Sequence, residues 1–253
     1  MLIEERQRRI LEALRENPQH NVRSLAALLY VSEPTVRRDF TELHKKGLLT
    51  KVYGGAIVNA GSADREIPFV LRENEKSRVK SSLGAAAAKL VRDGMVLMLD
   101  GSTSAYHLVP YLTRFSDLIV ITSGAKTAVA LAEANIRTFC TGGQMRIHSF
   151  SYVGEQAQAF VRNLNADLLF FSCRGVSEDG RMSDLSMEEA NLRRVMFGCC
   201  KQKYLLCDSS KFGKTYFYNM GSVAELDGVL CEKPLPPEIG AFFSKEKHGN
   251  PNF

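Results

Sequence analysis

Apolar positions in the first 58 residues follow a helical period three times and then switch to strand-like alternation. Ile3, Ile10, Leu11 and Leu14 share one face of a helix whose other face carries Glu4, Glu5, Arg6, Arg8 and Arg9, and the pattern stops near Asn17-Pro18. Val22, Leu25, Ala26, Leu28 and Leu29 predict a second helix of two or three turns. Ser32 is placed to cap a third, with Glu33 and Pro34 in its first turn, where proline's missing N–H leaves nothing unsatisfied. Val36, Phe40 and Leu43 recur at i, i+4 and i+7 and must face inward, so Thr35, Arg37, Arg38 and Thr41 face out. Gly47, after Lys45 and Lys46, supplies the stop. Leu48 to Ile57 then predicts two short strands around Gly54 and Gly55, with Lys51 on the hairpin.

Three short helices followed by a basic hairpin predict a winged helix-turn-helix over residues 1–58, with the front of the third helix directed at a major groove. The charge distribution agrees. Residues 1–61 hold 10 Lys/Arg against 7 Asp/Glu, so +3 of the formal +5 lies in the first quarter of the chain. The expected DNA-contacting residues are Ser32, Thr35, Arg37 and Arg38 on the helix, with Lys51, Gly54 and Gly55 on the wing. Arginine donors fit guanine O6/N7 or phosphate, and a glycine turn lets backbone approach closely.

From Asn59 to Ile67 the chain is small residues and charge, then Pro68, which places a linker at 59–74 and a second domain at 75–253. Glu75 to Val91 is alanine-rich and helical in pattern. Strand-length apolar runs alternate with helical ones beyond it: Met95 to Asp100, Leu118 to Thr122, Thr138 to Thr141, Ala166 to Ser172, Lys203 to Asp208 and Gly228 to Cys231. The alternation predicts a Rossmann-like α/β domain, a mainly parallel sheet with helices on both faces. Ligands of such sheets sit beyond the C-terminal strand ends. At those ends stand Asp100-Gly101-Ser102-Thr103-Ser104, Thr122-Ser123-Gly124, Thr141-Gly142-Gly143 and Ser209-Ser210-Lys211. Each is an ordinary turn composition taken singly. Together, converging hydroxyls, glycines and a lysine suit a phosphorylated small molecule.

Composition narrows the class further. A chain of 253 residues with 45% hydrophobic content has room for a small and a large domain. No run approaches a membrane span and residues 1–17 are too charged for a secretory signal, so a cytoplasmic location is expected. Cys140, Cys173, Cys199, Cys200, Cys207 and Cys231 lack metal-ligand spacing and read as reduced, mostly buried thiols; neither metal nor cofactor is expected. The five histidines have no catalytic pattern, and Tyr216 and Tyr218 suit core packing or a pocket wall.

The chain resembles the DeoR family of bacterial transcription regulators. The motifs are Glu5-Arg6-Gln7-Arg8-Arg9-Ile10-Leu11, Val31-Ser32-Glu33-Pro34-Thr35-Val36-Arg37-Arg38-Asp39-Phe40, Gly47-Leu48-Leu49 and Tyr53-Gly54-Gly55-Ala56. Asp100-Gly101-Ser102-Thr103, Gly175-Val176 with Gly180, Glu188-Glu189-Ala190 with Arg193-Arg194-Val195-Met196, and Asp208-Ser209-Ser210-Lys211-Phe212 are similar to the family's sensor domain. That domain resembles sugar-phosphate isomerases, and the family's usual ligand is a phosphorylated sugar. The resemblance implies effector contacts at Asp100, Ser102, Thr103, Ser104 and Lys211, and further at Thr122, Ser123, Gly124 and Arg146. Three departures stand out: Lys51 where arginine is frequent, Ser123 where asparagine is, and Ser172-Cys173-Arg174 in a loop that usually starts with glycine.

The expected function is therefore a repressor of a carbohydrate operon. It would bind operator DNA as a homodimer or homotetramer, controlled by a sugar phosphate. Two other readings remain at this point. One is an isomerase with a DNA-binding accessory, using Asp100, Asp208, Glu188 and Lys211 as acid and base groups; the other is an architectural DNA binder with no effector.

Overall fold

The structure, a computed structural model, describes residues 2–17, 20–46, 48–52, 55–58 and 69–243. The chain forms two compact units, Met1–Arg65 and Glu66–Phe253. In the first, α1 (Ile3–Glu16), α2 (Val22–Leu29) and α3 (Glu33–Lys45) are followed by β1 (Leu49–Val52) and β2 (Gly55–Val58), an antiparallel pair with Lys51 opposite Ala56. Ile10, Leu11 and Leu14 meet Leu25, Leu29, Val36, Phe40 and Leu43 in one small core, all buried. The helix starts are set locally. Asn21 and Ser24 close a reciprocal capping box on α2, and Ser32 Oγ accepts from Thr35 N at 3.4 Å on α3. One ion pair ties α1 to α3: Arg6 Nε donates to Asp39 Oδ2 at 2.5 Å, with Asp39 buried. Gly47, Tyr53 and Gly54 lie outside the described residues, as does the stretch 59–68.

In the second unit, α4 (Phe69–Asn74), α5 (Ser77–Ala87), β3 (Val96–Leu99), α6 (Thr103–Tyr106), α7 (Val109–Leu112), β4 (Ile119–Thr122), α8 (Ala125–Glu133) and β5 (Arg137–Cys140) come first. The hairpin β6 (Gln144–Arg146) and β7 (Ser151–Val153) leads to α9 (Glu155–Arg162), β8 (Ala166–Phe171), β9 (Gly175–Val176), β10 (Arg181–Asp184) and α10 (Met187–Gly198). The chain ends with β11 (Cys200–Leu206), β12 (Tyr218–Ser222), β13 (Gly228–Leu230) and α11 (Pro237–Gly240). The main sheet runs β13-β11-β8-β3-β4-β5 with every neighbour parallel. These six strands are the six apolar runs. The small antiparallel sheet β12-β10-β9 and the β6–β7 hairpin were not expected.

Alternation along the strands separates two cores. Leu97, Leu99, Leu168, Phe170 and Leu206 pack under Leu83, Ala105, Leu108, Leu112 and Leu131, while Met98, Leu169, Phe171 and Leu205 pack under Ala157, Val161, Ala190 and Met196. Helices therefore cover both faces of the sheet. The expected linker 59–74 overruns at its C-terminal side. Phe69–Asn74 is helix α4, and Phe69 is buried edge-on to Tyr106 and Phe150, with its N–H on His148 O at 2.7 Å. An aromatic anchor of that size holds the segment to the larger unit. The predicted helix over 75–91 begins at Ser77 because Lys76 takes a left-handed conformation, φ 53°, that separates α4 from α5.

Candidate functional site

On the first unit the front of α3 is open. Arg37 and Arg38 are both exposed; Arg37 reaches Glu33 only at 3.7 Å, and Arg38 has no hydrogen bond or ion pair among the described residues. Ser32 is exposed and Thr35 half-buried, their hydroxyls 2.9 Å apart. Lys51 reaches from β1 to the same helix, its Nζ 3.2 Å from Thr41 Oγ1, which puts a wing cation beside the exposed helix face. Gly55 pairs with Asn21, so the wing is anchored to the start of α2. Gly54 falls outside the described residues.

On the second unit the strand order decides where a ligand can sit. The chain runs outward from β3 through β4 to β5, and then on the other side from β8 through β11 to β13, so the crossing point lies between β3 and β8. Loops leaving adjacent strand ends diverge there and open a crevice. A cleft of about 200 Å³ opens at that point. Ser102, Thr103, Ser104 and Lys211 line it, joined by Ser172, Cys173 and Arg174 after β8, Asp184 on β10, and Arg72, Lys76 and Lys80 from α4–α5.

Beneath these residues is a buried ionic floor. Arg193 on α10 donates from Nε to Asp100 Oδ2 at 2.8 Å, from Nη1 to Asp184 Oδ2 at 2.7 Å and from Nη2 to Glu189 Oε2 at 3.3 Å. Burial disfavours this guanidinium's charge, yet the three carboxylates overcome it and raise its pKa. Burial likewise disfavours the Glu189 carboxylate, but Arg193 and two serine hydroxyls bring it down to about 2. Asp100 also accepts from Ser102 N at 3.1 Å and Ser172 N at 3.2 Å, so it shapes the loops after β3 and β8 rather than facing the cleft. Gly101 must be small: a Cβ there would lie 2.6 Å from Ser151 Cβ.

The cations above the floor are held differently from one another. Lys211 Nζ donates to Ser172 Oγ at 2.7 Å and stands 3.9 Å from Asp208 Oδ2. Lys76 pairs with Asp208 at 2.6 Å and with Ser210. Burial opposes ionisation of Asp208, but Lys211 and the bonds from Lys76 and Ser210 take it down to about 2. Lys80 is buried with its ammonium on two backbone carbonyls, those of Arg72 and, at 2.7 Å, Glu75. Burial, reinforced by the charge of Lys211, pushes its pKa down to about 7.

Of the expected effector residues, Ser102, Thr103, Ser104 and Lys211 meet at the cleft, with Asp100 and Gly101 directly behind. Thr122, Ser123, Gly124 and Arg146 do not. Thr122 Oγ1 accepts from Gly124 N at 3.0 Å, and Ser123 lines a small adjoining crevice of about 10 Å³ with Gly101, Ser151 and Tyr152, which shares Glu189 and Arg193 with the cleft. Thr122 ends β4 and Ser123 follows it, on the side of β3 away from β8. Arg146 pairs with Glu188 at 2.6 Å outside the cleft. Sequence reasoning missed Arg72, Lys76, Lys80, Arg193, Asp184 and Lys214. A spacing of four joins residues 72, 76 and 80 and was the available signal.

Residues 6–61 match the DeoR-like helix-turn-helix domain and residues 75–233 the DeoR C terminal sensor domain. This chain belongs to the DeoR family. As a DeoR-family protein it is a DNA-binding transcriptional regulator, and its relatives align over nearly their whole length. The HTH-type transcriptional regulator GolR of Listeria innocua is 33% identical, over 91% of this chain and 91% of that one. The lactose phosphotransferase system repressor of Staphylococcus epidermidis is 33% identical, over 81% of this chain and 82% of its own. Among solved structures, ribose 5-phosphate isomerase A of Methanocaldococcus jannaschii superposes with a TM-score of 0.41 at 15% identity, covering 54% of each chain. No helix among the described residues of this DeoR-family chain is long and apolar enough to cross a membrane.

Proposed function

We propose that this regulator represses a carbohydrate operon, gripping its operator through α3 and the wing, and that a phosphorylated sugar in the cleft sets that grip. The single observation that supports the effector class is the company Lys211 keeps. It shares the cleft with the hydroxyls of Ser102, Thr103 and Ser104 and with the buried Lys80, which has no carboxylate bonded to it among the described residues. Hydroxyls and ammonium groups in a concave, partly dry site favour a phosphate dianion. On DNA, Arg37 and Arg38 are the proposed base or phosphate contacts from α3, and Lys51 a phosphate contact from β1. Reading a two-fold operator calls for two copies of the chain, so we propose a homodimer or a homotetramer.

The cleft suits binding better than isomerisation. A carboxylate whose pKa is held well below the usual range by neighbouring cations and hydroxyls, as for Asp208 and Glu189, is a poor base for removing a proton from carbon at neutral pH. Asp100 is spent on Arg193 and two backbone amides, and Glu188 on Arg146. A thermal-shift panel of sugar phosphates tests the reading. A ligand at about 100 times its Kd adds roughly 2.7 kcal/mol, and Lys211→Ala should erase the shift. A flat panel at millimolar ligand contradicts it.

A further inference from the structure

The floor and walls of the cleft use up most of their charge internally, and what is left over has a pattern. Arg193 spends its donors on three carboxylates, and Asp208 holds Lys76 and Lys211. Arg174 is in the opposite situation. Its nearest carboxylate oxygen, Asp184 Oδ1, is 4.0 Å from Nε and already accepts from Leu185 N at 2.7 Å, while Oδ2 of the same residue is taken by Arg193. Nη2 of Arg174 is buried without any hydrogen-bond partner among the described residues, and of the buried side-chain atoms in that condition it is the one whose residue lines the cleft. A buried guanidinium N–H without an acceptor is an unfavourable resting state; turning the group toward an anion in the cleft gains charge-assisted bonds and gives up none.

A second cation adjoins it. Lys214 lines the same cleft and forms no ion pair or side-chain hydrogen bond among the described residues. Its backbone presses on the residue after Arg174: a Cβ on Gly175 would lie 2.4 Å from Lys214 O and 3.0 Å from the Tyr216 ring. Arg174, Lys214 and Tyr216 therefore form one wall. Ser172, which binds Lys211, is two residues before Arg174, at most about 7 Å along the chain. Lys80 and Lys211 on one hand, and Arg174 and Lys214 on the other, line one space.

We infer that the effector of this protein is doubly anionic: a phosphorylated sugar carrying a second phosphate or a carboxylate, with one anion at Lys80, Lys211 and the Ser102–Ser104 loop and the other at Arg174 and Lys214. This rests on the sugar-phosphate reading of the cleft and specifies the ligand class within it. Arg174 is the specificity-determining residue. Its planar fork meets two oxygens of a carboxylate or phosphate at once.

The test is calorimetric titration of the full-length protein with three ligands on one carbon skeleton: a monophosphate, the bisphosphate and the phosphorylated aldonic acid. Each is repeated with Arg174→Gln and Lys214→Gln, and melting curves confirm that the variants fold. We expect one of the two doubly anionic ligands, and the tighter of them names the second group, to bind about tenfold or more tighter than the monophosphate. Arg174→Gln should remove that preference and leave monophosphate binding within about twofold. Equal affinity for all three ligands, or an equal loss for all three in Arg174→Gln, overturns the inference while leaving the sugar-phosphate reading in place. Binding of none of the three overturns both.

Discussion

Lys80 links burial to chemistry most directly. Its ammonium is driven down to about 7 by desolvation and by Lys211, with Arg72 adding to the effect and Glu75 and Asp208 opposing it. A phosphate dianion beside it favours the protonated form, so above about pH 7 binding must take up a proton. Affinity should then fall as pH rises, by up to about tenfold per unit between 7.5 and 8.5. It should also weaken below about pH 6, where phosphate itself gains a proton. Lys80→Met should flatten the alkaline limb, measured as proton uptake in buffers of different ionisation enthalpy; an unchanged slope would place the phosphate elsewhere. On α3, Arg38→Ala should cost about 1 to 3 kcal/mol on the operator and relax its sequence preference, whereas Lys51→Ala should weaken all DNA evenly. Equal losses in a competition gel shift would refute that division. The pattern of inward Val36, Phe40 and Leu43 was enough to turn Arg37 and Arg38 outward, because on a helix the position of one face fixes the other. Arg174 could not be found that way: its importance comes from Asp184 being taken by Arg193, a pairing across nine residues that no periodicity records.

Between elements, close contacts fix the geometry of the cleft wall. Gly84 on α5 lies against the end of α6, and a Cβ there would stand 2.4 Å from the backbone oxygen of His107. Alanine gains about 1 kcal/mol in helix propensity over glycine, but a carbonyl in the main chain cannot swing aside. Gly84→Ala should therefore lose about 1 to 3 kcal/mol net in a urea melt; a gain in stability would mean the α5–α6 approach is looser than described. Five of the six parallel strands were legible because each run carries at least three consecutive apolar residues bounded by turn formers; β5, with only Phe139-Cys140 between threonines, was legible by its place in the alternation. The strands β9, β10 and β12 were not, since Gly175–Val176, Arg181–Asp184 and Tyr218–Ser222 mix polar residues and glycine in runs too short to alternate clearly. Sequence alone also shows the β3 and β4 rims as alike. Only the strand order puts Thr122, Ser123 and Gly124 on one side of β3 and the cleft on the other.

For the molecule as a whole, two compact units carry two chemistries, and regulation requires that binding at one change binding at the other. An effector shifts operator affinity only by as much as it distinguishes the DNA-gripping state from its alternative, and couplings of about 1 to 3 kcal/mol correspond to roughly 5- to 150-fold. The family assignment was legible at this scale because motifs from both units, from Glu5 to Phe212, run in one order along one chain. The most direct measurement is fluorescence anisotropy of a labelled operator fragment from the DNA upstream of the gene, titrated with full-length protein at fixed salt with and without saturating sugar phosphate. The account predicts tight binding whose Kd moves at least about fivefold with effector, and no such movement in Lys211→Ala. An operator Kd unmoved by a sugar phosphate that demonstrably raises the protein's Tm would contradict it.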